Sequence, residues 1–100
     1  MPKAVKCHSL QDVRDNIDRL DEIIVGLLAE RIDYVLQAAQ FKETRGDVRI
    51  PSRIEFIVKR IRVFAEKEGM DPDMAESVYR HIMEESIARE ETRWDKINSA

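Results

Sequence analysis

Arg31 and Lys42 occupy positions where a helix that packs along one face should carry leucine. The apolar residues Leu10, Val13, Ile17, Leu20, Ile24 and Leu27 step by threes and fours, the spacing of one helical face. The next step lands on Arg31, followed by Tyr34, Ala38 and Phe41; a neighbouring stripe of Val25, Leu28, Ile32, Val35 and Ala39 ends on Lys42. A charge turned toward a helical core is costly unless something pairs with it. No acid is spaced to neutralise both cations, so an anionic ligand is one candidate partner. The alternative is that both side chains snorkel to the edge of the packing, or pair with an acid from another helix.

Two further arginines extend the set. Arg53 follows a short loop that lets the chain fold back toward Lys42. Arg31 and Lys42 are 11 residues apart and lie on nearly one face, about 16 Å from each other. Arg14 shares the Lys42 face but is 28 residues away, roughly 42 Å along a helix axis. One small molecule cannot touch Arg14 and Lys42 of the same helix. They meet only if an antiparallel partner chain brings its own Arg14 across. Downstream, Ser86 and Glu90 are four apart on one helical face and continue the stripe from Ile82 and Met83. A carboxyl group sheltered there holds its proton nearer neutrality. The alternative is that Glu90 belongs to the polar run Arg89-Glu90-Glu91-Thr92-Arg93 and is solvated.

The elements that must position these residues are three helices. Ser9 with Asp12 three residues on reads as an N-cap close to a capping box. The pattern from there runs unbroken to about residue 44, and Gly46 reads as the stop signal. A helix of some 35 residues is roughly 50 Å long, too long for a compact 100-residue domain with a radius of gyration near 13 Å. Its stripe cannot be buried by two shorter helices of its own chain, which predicts a homodimer. The second helix, about 51–68, opens with Pro51 and stops at Gly69; the third, about 72–97, opens with Asp71 as cap and Pro72 at its first position. The second carries Ile54, Ile57, Val58, Ile61 and Phe64 on one side, and the third carries Met74, Val78, Ile82, Met83, Ile87 and Trp94. No segment alternates with period two, so the fold class is all-α, one helical domain over residues 1–100.

Composition narrows the chemistry. The balance of 43% hydrophobic and 37% charged residues with three Gly and three Pro is that of a folded helical protein. A net charge of -3 argues against a general role in nucleic-acid binding. The single cysteine, Cys7, allows no intrachain disulfide and no Cys-based metal site, and fits a cytoplasmic chain. The start, Met-Pro-Lys-Ala-Val-Lys-Cys-His, shows no apolar leader, and no apolar run approaches the roughly 20 residues that span a bilayer. There is no Gly-rich phosphate loop, no HExxH and no Cys/His cluster; neither His8, His81 nor Ser86 has the neighbours that nucleophilic catalysis requires. The remaining chemistry is that of placed cations without metal or cofactor.

The stretches VRDNIDRLDEIIVGLLAER, YVLQAAQFK and VRIPSR, followed by a third helix containing IARE, resemble the all-helical (type II) chorismate mutase family, leaning to the branch that includes the bacterial isochorismate-pyruvate lyases. The resemblance covers Ser9 to about Trp94, and rests on Arg14, Arg31, Lys42 and Arg53 in this order and spacing. It implies an intertwined antiparallel homodimer with two equivalent sites, each taking one arginine from the partner's first helix. Arg14 would then pair with a substrate carboxylate across the interface, Arg31 would hold the pyruvyl carboxylate, and Lys42 would reach the ether oxygen and a carboxylate. Arg53 would lie over the substrate, the main chain near Val48 would help hold the ring, and Ser86 would contact the ring carboxylate. Glu90 matches the position that donates a hydrogen bond to the ether oxygen.

The substrate implied is a small dicarboxylate carrying an enolpyruvyl ether. A mutase converts chorismate to prephenate by an intramolecular [3,3] rearrangement, which needs a folded substrate and stabilisation of the charge growing on the ether oxygen. Glu90 must carry a proton to donate, so activity is expected to fall as pH rises through its titration, and Glu90→Gln to flatten that dependence. Two departures point in opposite directions. Many mutases of the family have a Glu directly after the arginine matched by Arg53; here it is Ile54, as in lyases. Ser86 and Glu90 look more like a mutase, since a lyase would carry Gln at position 90. The expected activity is chorismate mutase, in aromatic amino acid biosynthesis; the alternatives are isochorismate-pyruvate lyase, giving salicylate and pyruvate, and a non-catalytic helical dimer module.

Overall fold

The computed structural model describes residues 3–99; Met1 and Pro2 of the stretch read for a leader, and the last residue of the expected domain, lie outside the described residues. The described residues form three α-helices, α1 (Leu10–Ala38), α2 (Pro51–Glu68) and α3 (Pro72–Ile97), with two short 3-10 turns, Ala39–Phe41 and Arg45–Val48, between α1 and α2. Among the described residues there is no strand. The chain divides into two compact units, one ending at Tyr34 and one beginning at Val35.

The first unit is built on α1. Ser9 Oγ accepts the Asp12 N–H at 3.0 Å, satisfying one of the donors that open a helix. The Asp12 carboxylate reaches back to the His8 N–H at 3.1 Å, one residue before the cap, so the capping box is offset. Along α1 no residue is buried, and the stripe Leu10, Val13, Ile17, Leu20, Ile24 and Leu27 stands exposed, Leu27 by 62%. An exposed apolar stripe of this length is more than a surface ordinarily carries.

The second unit holds the core. α2 and α3 pack against each other, and α3 also packs on both 3-10 turns. The buried apolar side chains are Ala39, Val48, Val58, Ala65, Ala75, Met83 and Ile87. Pro51 opens α2, where its missing N–H costs nothing and its fixed φ suits the first turn. Gly69 ends it in the left-handed region (φ 75°), and the Met70 N–H closes onto the Ala65 carbonyl at 2.8 Å, a Schellman arrangement. Asp71 caps α3 by accepting the Asp73 N–H at 2.9 Å.

One boundary differs from the sequence expectation. The first helix, expected to run to about residue 44 with Gly46 as its stop, is α-helical only to Ala38. Ala39 is fully buried, the following turn tightens to 3-10, and Lys42 leaves it in an extended conformation (φ -98°, ψ 130°). Gly46 lies inside the second 3-10 turn instead of capping α1. Tertiary contact with α3 ends the helix, an influence that periodicity along one segment cannot register.

Candidate active site

α3 presents Met83, Ser86, Ile87, Glu90 and Trp94 at steps of one, three and four residues; the first four are buried and Trp94 is half-buried. Glu90 is only 6% exposed, so it is a carboxyl group of the core and not part of a solvated run. Its Oε2 accepts no hydrogen bond within the described chain, but lies 3.3 Å from Lys42 Nζ. Lys42 therefore pairs with an acid from another helix, one of the possibilities its place on the apolar stripe left open. The same ammonium donates to the Asp47 carbonyl at 3.3 Å. Burial of a carboxylate is tolerable only beside such a cation, and its remaining acceptor capacity is open to a further donor or ligand.

Lys42 itself is held by its main chain. The Trp94 indole Nε1–H donates to the Lys42 carbonyl at 3.0 Å, a contact spanning 52 residues of sequence. The 3-10 turn that follows is closed by the Asp47 N–H to the Thr44 carbonyl (3.1 Å), while the Thr44 N–H donates to the Asp47 carboxylate (3.0 Å). The turn is strapped to α3 by Arg45, whose Nε donates to Asp95 (3.0 Å) and whose second nitrogen reaches Glu91 (3.3 Å). Arg49 makes a two-pronged pair with Glu84 at 2.6 and 2.9 Å. The hydrogen bond from Arg49 holds the Glu84 carboxyl below the usual carboxylate range. Val48 is buried within this turn.

The remaining expected residues fall as follows. Ser86 is buried, and its hydroxyl donates back to the Ile82 carbonyl at 2.8 Å. Arg53 lies in the first turn of α2, exposed, with its guanidinium 5.1 Å from the centre of the Phe56 ring. Lys42, Val48, Arg53, Ser86 and Glu90 thus belong to one compact unit, and within it Lys42 and Glu90 are brought into contact. Arg14 and Arg31 belong to the other unit, both on α1; Arg14 is exposed and Arg31 half-buried. Trp94 is a polar contributor that the periodicity of α3 does not single out, since spacing alone counts it as an apolar member of the stripe. Its position four residues after Glu90 was the available signal.

The chain is thus a small all-helical protein whose second unit sets a buried acid against a lysine. The profile of the type II chorismate mutase family matches residues 13–91, and the chain belongs to that family. It is similar to the isochorismate pyruvate lyase of Pseudomonas aeruginosa, 32% identical over 94 residues that cover 94% of this chain and 93% of that protein. It is also similar to the T-protein of Haemophilus influenzae, 36% identical over 83 residues; these are 82% of this chain but 22% of the larger protein. A chorismate mutase of Methanocaldococcus jannaschii is 28% identical over 80 residues, 79% of this chain and 81% of that one.

Proposed function

We propose that the protein is a chorismate mutase that rearranges chorismate to prephenate without a cofactor. The observation that carries this reading is the contact of a buried carboxyl, Glu90, with the Lys42 ammonium. A buried acid and an ammonium in contact suit an oxygen that gains negative charge as its bond to carbon breaks. In the reaction the ether C–O bond breaks and a C–C bond forms within one molecule, so no group or proton need leave the substrate. The protein's task is to fold the enolpyruvyl chain over the ring and to meet the growing charge.

In this reading Lys42 turns from Glu90 to the ether oxygen, and Glu90 in its protonated form donates to the same atom. Arg53 adds positive charge over the substrate, Ser86 meets the ring carboxylate, and main chain near Val48 borders the ring. Arg31 holds the pyruvyl carboxylate. Arg14 enters from a second copy of the chain, and the exposed stripe of α1 supports such an antiparallel homodimer.

A second reading has its own support. The extended match to an isochorismate pyruvate lyase, together with Ile54 after Arg53, favours isochorismate as substrate with pyruvate as one product. The discriminating experiment is an NMR time course of the purified protein with chorismate and isochorismate in separate tubes. Prephenate from chorismate supports the mutase. Salicylate and pyruvate from isochorismate, with chorismate untouched, replaces it by the lyase. No turnover of either by a folded dimer leaves a non-catalytic helical module.

A further inference from the structure

The Trp94 indole has a role that its aromatic bulk does not explain. Lys42 sits just past a 3-10 turn, in extended backbone, where its carbonyl has no helical N–H to accept. The indole N–H of Trp94 supplies that donor at 3.0 Å. One helical turn earlier on α3, Glu90 meets the ammonium of the same lysine at 3.3 Å. Lys42 is therefore held to α3 at both ends, its main chain by Trp94 and its charged tip by Glu90. The two contacts are about 6 Å apart along the helix, close to the reach of a lysine side chain. A lysine side chain is rich in rotamers; fixing the main chain at the right height on α3 limits the search that the side chain has to make.

From this geometry we infer that Trp94 is a positioning residue that sets Lys42 against Glu90, and that it acts through its N–H and not through its ring. For turnover the inference rests on the proposed function; for the geometry of Lys42 it does not. Removing the N–H frees the Lys42 carbonyl, lets the 42–44 backbone drift from α3, and loosens the ammonium from Glu90.

The test uses Trp94→Phe and, because Trp94 is the chain's single tryptophan, biosynthetic replacement of tryptophan by its benzothiophene analogue. The analogue keeps the ring shape and exchanges the N–H for sulfur, so it serves even if the Phe variant folds poorly. The first readout is the carbon–proton NMR signal of the Lys42 ε-methylene, assigned by its loss in Lys42→Met. It should move toward the common position of the exposed lysines in either replacement; an unmoved signal overturns the inference. The second readout is turnover. Either replacement should lower kcat about tenfold with KM little changed, and should cost nothing further in a Lys42→Met background. Losses that simply add in the double variant overturn the inference, since a structural role would produce them. If the unmodified protein turns over neither chorismate nor isochorismate, the functional reading falls, while the Lys42 signal still decides whether Trp94 positions the lysine.

Discussion

Lys42 Nζ lies 3.3 Å from Glu90 Oε2, and the carboxyl group it meets is all but excluded from water. The pair joins the turn after α1 to the third helix, with the carboxyl buried and the ammonium half-buried in the second compact unit. A buried ion pair is weak evidence of stability, because desolvation offsets much of the attraction. Under the proposed function, the pair is explained by what the two groups do with the substrate's ether oxygen.

Glu90→Gln and Glu90→Ala together test the donor role proposed for that carboxyl. Gln keeps a hydrogen-bond donor at the position, whereas Ala has none. The Gln variant should retain activity and the Ala variant should lose most of it. Initial rates of the two variants check this; an Ala variant as active as the Gln variant removes Glu90 from the donor role.

Lys42→Met separates chemistry from stability. Loss of the ammonium should reduce kcat/KM by about a hundredfold or more. It also leaves Glu90 without its cation, at a cost of about 1–3 kcal/mol in a partly open site. Denaturant titration and kinetics on the same preparation measure the two effects. The double change Lys42→Met with Glu90→Gln should recover stability but not rate.

Arg14 and Lys42 test the shared site. If each site takes Arg14 from one chain and Lys42 from the other, then Arg14→Ala and Lys42→Ala homodimers are both inactive. Mixing them through unfolding and refolding should return activity, up to about a quarter of the wild-type value when exchange is random. Mixtures that stay as inactive as their components rule out the shared site.

The α2–α3 hairpin should carry an acid-sensitive clamp. Arg62 donates to Glu76 at 2.9 Å and also pairs with Asp73; Arg80 donates to Glu76 at 2.9 Å and reaches Glu55. Hydrogen bonds from Arg80 and then Arg62 hold the Glu76 carboxyl below its ordinary value. A carboxyl depressed in the folded state adds stability above its unfolded titration, and that stability is lost as pH falls through the folded one. Glu76→Gln should therefore lower the thermal midpoint near neutral pH, with the difference from wild type closing in acid. Melting curves at both extremes check the sign, and exposure of the network keeps the effect modest.

Much of the fold was written in local chemistry. Pro51, Gly69, Asp71 and Pro72 mark helix ends because a missing N–H, a left-handed φ and a side-chain acceptor act within a few residues, and α2 and α3 have the bounds these signals predict. The three-four stepping of α1 likewise identified an apolar stripe, which the structure leaves open to solvent. The candidate site was legible in part: charges on an apolar face need partners, and that marked Lys42 as a residue whose partner lay elsewhere in the fold.

Only the tertiary structure decided who that partner is. Whether Glu90 is wet or buried depends on α3 packing over the 3-10 turns, and nothing within five residues of it distinguishes the two cases. The early end of α1 at Ala38 has the same origin, since the turn is drawn out by contacts with a helix that begins some 30 residues later in the sequence. The Trp94 bond to the Lys42 carbonyl belongs there too. Periodicity reports which way a side chain faces, but a hydrogen bond between residues 52 positions apart exists only once the chain has folded.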